Sequence, residues 1–218
     1  MVITIDGPAG AGKSTVSKAL AEKLEYIYLD TGSLYRALAY KVLKDNISVD
    51  NESAVADLCS RTEVELKNVG GKMKVYLDSE NVGEKIRTQE VGSAASKISA
   101  YGTVRKYLLN LQRRAGAQGG LVAEGRDMGS VVFPDADYKF YLDAKADERI
   151  TRRLNEILSK GTTTKYQSVQ KEMIARDQQD SKRQHSPLKV PEEAIIIDST
   201  DLSVDQVVDE ILKYILTK

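Results

Sequence analysis

The residues with the plainest chemistry lie early in the chain, where Gly7-Pro8-Ala9-Gly10-Ala11-Gly12-Lys13-Ser14 satisfies the pattern G-x-x-x-x-G-K-[ST]. That spacing suits the phosphates of a nucleoside triphosphate. Glycines let the backbone curl until several N–H groups converge on one anion, an approach that a Cβ would obstruct. Lys13 would set its ammonium between the β- and γ-phosphates, and the Ser14 hydroxyl would ligate Mg2+. A helix beginning there would add its dipole to the same anion.

Two further stretches fall where ligands bind. Tyr26 to Leu29 reads as a buried strand running into Asp30-Thr31-Gly32, and Leu121 to Ala123 as another ending in Glu124-Gly125-Arg126-Asp127-Met128-Gly129. Sheets of parallel strands take ligands at their carboxyl ends, so both stretches are site positions. Arg36 stands near the start of a helix predicted over Leu34 to Lys44, where a cation gains nothing from the helix dipole, which implies another partner. By itself it reads equally well as a solvated surface cation. A later helix, predicted over Ser168 to Lys182, puts Arg176, Asp180 and Arg183 on one face at i, i+4 and i+7. Alone, that ladder reads as exposed ion pairs worth about a few tenths of a kcal/mol each.

Elements that could position these groups alternate along the chain. Val2, Ile3 and Ile5 form a β-branched run before the glycine loop, and Val16, Leu20 and Leu24 follow it at helical spacing. Strands are also predicted at Tyr138 to Leu142 and Ile195 to Ile197, with helices at Thr88 to Ala100, Gly102 to Ala115, Asp147 to Ser159 and Val204 to Leu216. This alternation implies a doubly wound α/β fold. Between Glu63 and Arg87 the period changes to two around Gly70-Gly71, which predicts an inserted antiparallel meander. Lys160 to Thr164 reads as a short loop between helices. Both segments are placed to close over a site.

Composition bounds the rest. The 218 residues suit one well-cored domain, and 32 basic against 32 acidic residues leave no net charge. Nothing suggests a nucleic-acid tail or a membrane-seeking surface, so cations that bind an anion must be gathered locally. Cys59 is the only cysteine. It excludes an intrachain disulfide, fits a reducing compartment and reads as a small core residue. No basic start leads into a long apolar run, and Asp6 interrupts the first apolar stretch. A soluble, cytoplasmic protein without a transmembrane helix is expected. His185, the only histidine, lies in a polar segment without a partner and takes no role.

Ile5 to Ser14, Asp30-Thr31-Gly32-Ser33-Leu34-Tyr35-Arg36, Ile86-Arg87-Thr88-Gln89-Glu90-Val91 and Gly125-Arg126-Asp127-Met128-Gly129-Ser130-Val131-Val132-Phe133-Pro134-Asp135-Ala136 together resemble bacterial cytidylate kinase. The first stretch is shared by many enzymes, whereas the last two are far more particular. The resemblance covers nearly the whole chain. It implies a P-loop three-layer sandwich with a five-stranded parallel sheet, an antiparallel insert at 63–87 in the CMP-binding region and a lid at 155–170. It also implies phosphoryl transfer from ATP, with Mg2+, to CMP or dCMP; a monomer with no nucleic-acid or membrane partner is expected. By that resemblance Gly7, Pro8, Ala9, Gly10, Ala11, Gly12, Lys13, Ser14 and Thr15 bind ATP. Thr31, Arg36, Arg126 and Arg183 hold the CMP phosphate. Ser96, Arg105 and Asp127 read the cytosine edge, and Arg176 and Asp180 contact the sugar. Lys13, Arg126, Asp127 and Arg176 stand as the catalytic set.

The sequence departs from the family's pattern at Thr31, where serine is usual, and at Glu124, where aspartate is usual. Other readings are a kinase of UMP, AMP or shikimate, a GTPase switch and a non-catalytic nucleotide-binding module. The chain has neither an [NT]-K-x-D nor a D-x-x-G sequence, which counts against the switch. Arginines gathered at a second anion site count against simple ATP binding.

Overall fold

The computed structural model describes residues 1–159 and 161–216. β1 (Val2–Asp6) leads through the glycine loop into α1 (Lys13–Leu24), β2 (Ile27–Asp30) and α2 (Gly32–Lys44). α3 (Glu52–Ser60) precedes the antiparallel strands β3 (Val64–Val69), β4 (Lys72–Leu77) and the short β5 (Glu80–Asn81). Next come α4 (Gln89–Ile98), α5 (Gly102–Ala115), β6 (Leu121–Gly125), a π-helical turn at Met128–Val132 and β7 (Tyr138–Asp143). α6 (Ala146–Ser159), α7 (Tyr166–Lys182), β8 (Ile195–Asp198) and α8 (Val204–Leu216) follow.

The strands order as β3-β4-β2-β6-β1-β7-β8, and the run from β2 to β8 is parallel throughout. The five-stranded parallel sheet expected from the sequence is therefore present. The meander is also present, but it joins that sheet at its edge. Tyr28 N donates to Gly71 O at 3.0 Å, and β4 pairs with β2 at Tyr28 and Lys72, giving one eight-stranded sheet. Gly70 and Gly71 turn the hairpin with φ of 60° and 74°, a conformation that side chains disfavour.

Alternation along the strands builds two cores. Ile3, Ile5, Tyr28, Val122 and Phe140 face α1 and α8 through Val16, Leu20, Val208 and Ile211. Their neighbours Leu29, Leu121 and Ala123 pack instead with Met128 and Val132 of the π-helical turn. A separate cluster joins α2, α3, α4 and α5 to β3 and β4, and Cys59 lies inside it. Burial pushes the Cys59 thiol up to about 11, consistent with a core residue.

Element boundaries differ modestly from those predicted. Thr88 caps α4, its hydroxyl accepting from Val91 N at 3.3 Å, and the helix ends at Ile98. α7 begins at Tyr166, ahead of the predicted Ser168, and ends at Lys182 as predicted, with Arg183 following on extended backbone with ψ of 143°. The predicted i, i+4, i+7 face therefore loses its last member. Lys160, the first residue of the predicted loop, is outside the described residues. Among the described residues no helix is long and apolar enough to cross a membrane.

Candidate active site

The parallel register brings three carboxylates to neighbouring strand ends. Asp30 stands opposite Glu124, and Asp6 opposite Gly125. The glycine loop rises from Asp6, with Gly7, Gly10 and Gly12 at φ of 148°, 76° and 89°. A Cβ at Gly7 would lie 2.0 Å from Leu142 O, so no side chain fits. Gly12 sits at the N-terminus of α1, leaving that helix end open to an anion without a side-chain cap.

Lys13 is buried and donates from Nζ to Pro8 O at 2.6 Å. Burial, then the nearby Arg126 charge, lowers its pKa to about 7, while Glu124 pulls the other way. A triphosphate would supply the negative charge this ammonium lacks. Glu124 is itself buried and accepts the Tyr28 hydroxyl at 2.5 Å. Burial and the Asp30 charge raise its pKa, opposed by Lys13 and by the Ser14 and Tyr28 hydroxyls. Ser14 and Glu124 thus offer hydroxyl and carboxylate oxygens side by side, a donor set suited to a hard divalent cation.

A second site opens beside the first. Arg36 Nη2 reaches Asp30 Oδ2 at 2.6 Å, and Arg87 Nη1 approaches the same oxygen at 3.4 Å. Burial disfavours the Asp30 charge, but these two cations hold its pKa below the usual carboxylate range. Arg126 Nε donates to Asp180 Oδ2 at 2.9 Å, and Arg183 Nη1 lies 3.6 Å from Asp180 Oδ1. Arg183 Nη2 lies 3.8 Å from Asp127 Oδ1, and Asp127 Oδ2 accepts from Arg105 Nη2. The ladder from α7 is therefore a buried chain of alternating charge reaching the end of β6, not a solvated face. The pKa of Arg176 is lowered to about 10 by burial and then by the Arg126 charge.

Hydrogen-bond capacity is left over in that cluster. Arg36 Nε, Arg105 Nε, Arg176 Nε and Arg183 Nη2 are buried without a hydrogen-bond partner. Buried donors are costly to leave unmatched, so their gathering marks an anion or polar-ligand site.

Two expectations take a different form. The Thr31 hydroxyl donates to Glu124 O at 2.7 Å, so its hydrogen is already engaged within the protein. No bond from the Ser96 hydroxyl to a site residue is found among the described residues; its carbonyl accepts from Gln179 Nε2 of α7 at 2.6 Å. Arg105, Arg126, Asp127, Asp180 and Arg183 are brought together by the ion pairs given above. Tyr28, Asp6, Arg149 and Asp177 were missed. Arg149 Nη1 donates to Ala9 O at 2.9 Å and to Asp177 Oδ2 at 2.5 Å, which ties α6 and α7 to the glycine loop. No local spacing links these residues; the only available sign was the charge of Asp6 inside an apolar strand.

A glycine loop between a parallel strand and a helix, with a cluster of buried arginines beside it, belongs to the P-loop phosphotransferase class. A family model described as cytidylate kinase matches residues 3–217, and the chain belongs to the cytidylate kinase family. A relative named cytidylate kinase from Pasteurella multocida is 46% identical over 215 residues, covering 99% of this chain and 95% of that protein. Another of that name, from Carboxydothermus hydrogenoformans, is 44% identical over 215 residues, covering 99% and 97%. A shikimate kinase structure from Bacteroides thetaiotaomicron overlays with a TM-score of 0.51 at 13% identity, covering 99% and 98% of the two chains. That last likeness concerns the fold alone.

Proposed function

We propose that this chain transfers the γ-phosphoryl group of ATP to CMP or dCMP, giving ADP and CDP or dCDP. The observation that carries this reading is a full phosphate loop beside a cluster of arginines that have unpartnered buried nitrogens and that surround buried Asp127. ATP binding alone has no use for this second group of cations. The name shared by the relatives supplies the identity of the base.

ATP phosphates would rest on the backbone from Gly7 to Thr15, with Lys13 between the β- and γ-phosphates. Ser14 would hold Mg2+ and Glu124 would face its hydration shell, the hard oxygen donors fitting that ion. When bound there, Mg2+ supplies neutralisation of charge on the β- and γ-phosphates. Arg36, Arg126 and Arg183 would hold the CMP phosphate, each planar fork able to take two oxygens. Thr31 would lie beside that phosphate. Asp127 would accept the cytosine N4 amino group, while Arg105 satisfies N3 and O2 and Ser96 borders the base. Uracil would turn its O4 toward Asp127, setting two acceptors face to face. Arg176 and Asp180 would contact the sugar.

With both substrates held, an acceptor phosphate oxygen attacks the γ-phosphorus in line as the bond to the β-phosphate oxygen breaks. Lys13 and the arginines neutralise the charge spread over the transferring group. The attacking monoester is already nucleophilic near neutral pH, so no protein base is needed. We further read 63–87 as part of the CMP-binding region and 155–170 as a lid, closing to exclude water from ATP.

Phosphorus NMR of a mixture of the protein, Mg·ATP and CMP tests the reaction directly. The expected result is growth of CDP and ADP signals together. ADP accompanied by inorganic phosphate, with CMP unchanged, would overturn it.

A further inference from the structure

Asp6 is fully buried at the end of β1, and both its carboxylate oxygens are engaged by backbone amides. Met128 N donates to Oδ1 at 2.8 Å and Gly129 N donates to Oδ2 at 2.8 Å. The same residue pairs with Gly125 in the parallel register of β1 and β6. Arg126 and Asp127 are therefore the only two residues between two fixed points that Asp6 supplies, one through its backbone position and one through its side chain. Asp127 sits at φ of −148° and ψ of 23°, outside both helix and strand, at the entry to the π-helical turn. Such turns are rare and recur at functional sites. On its other side Asp6 directly precedes Gly7, the first residue of the phosphate loop.

We infer that Asp6 is a positioning residue for the acceptor base, its carboxylate clamping the Met128 and Gly129 amides so that Asp127 and Arg126 face CMP in fixed register with the phosphate loop. This rests on the reading of Asp127 as the group that accepts from cytosine. A charged acceptor suits the task, because hydrogen bonds to an ionised carboxylate are shorter and stronger than neutral ones. The turn has little room to settle elsewhere: a Cβ on Gly129 would come 3.0 Å from Thr4 Oγ1 and 3.1 Å from Pro191 Cγ. Asp6 also faces the charges of Asp127 and Lys13.

Asp6→Asn keeps the shape but turns an NH2 group toward one of the two amides, opening half of the clamp. Loss of one charge-assisted bond should raise KM for CMP about tenfold and lower the CMP-to-UMP ratio of kcat/KM by about the same factor. KM for ATP should stay within about twofold, since the glycine loop keeps its backbone. Gly129→Ala presses the turn against Thr4 and Pro191 without touching the carboxylate, and should reproduce the pattern should Asp6→Asn fail to fold. A lowered Tm with both KM values and the base ratio unchanged would reduce Asp6 to a structural role and overturn the inference. Equal rises in KM for ATP and CMP would also overturn it. Asp127→Ala run alongside separates the two readings: unchanged base selectivity in that variant contradicts the role of Asp127 itself.

Discussion

Arg126 Nε donates to Asp180 Oδ2 at 2.9 Å, joining residues 54 positions apart, one at the end of β6 and the other near the end of α7. Asp180 is buried, and burial disfavours its charge, but Arg126, Arg176 and Arg183 together hold its pKa below the usual range. It holds three cations around one carboxylate. Asp180→Asn leaves those cations facing one another, and breaking a buried pair from one side costs about 3 kcal/mol or more. A fall of that size in urea unfolding is expected, with kcat/KM for CMP lowered about a hundredfold and KM for ATP little changed. Unaltered stability would mean that the arginines repel one another less than their spacing implies.

The Tyr28–Glu124 bond makes a second case. Tyr28 sits on β2, its hydroxyl 2.5 Å from Glu124 Oε1, and both residues are buried. Tyr28→Phe removes the donor and leaves the carboxylate less satisfied, at a cost of about 1–3 kcal/mol. Chemical denaturation should register that loss. No loss would indicate that water takes the place of the hydroxyl.

Stability should also depend on pH through Asp6. Burial, outweighing the two amide hydrogen bonds, raises its pKa from 3.8 to about 6. A carboxylate raised on folding binds its proton more tightly in the folded state, so its contribution is greatest below the unfolded value and falls as pH climbs toward 6. The difference in unfolding free energy between the native chain and Asp6→Asn should shift by about 2–3 kcal/mol against the native chain between pH 4 and 7. A difference that stays constant over that range would contradict the assigned shift.

Much of the layout around the candidate site was legible locally. The glycine loop, the strands around Leu29 and Val122 and the charged residues at their ends are short-range patterns, and they fold as such. What could not be read depends on strand order. Only because β6 lies between β1 and β2 does Glu124 meet Tyr28, and Asp6 the amides of Met128 and Gly129. Arg176, Asp180 and Arg183 looked like a surface ladder on spacing alone, since burial is set by the packing of α7 and not by its own period. The meander showed its turns in sequence, but its attachment to β2 is a backbone contact that no residue type encodes.

The most direct measurement is a coupled ADP-release assay with Mg·ATP and each of CMP, dCMP, UMP, AMP and dTMP, on the native chain and on Asp127→Ala. The buried Asp127 carboxylate, paired with Arg105 and set beside Arg183, should give strong turnover with CMP and dCMP that collapses in the variant. Turnover with another monophosphate, or CMP turnover indifferent to the loss of Asp127, would contradict cytosine reading at this pocket.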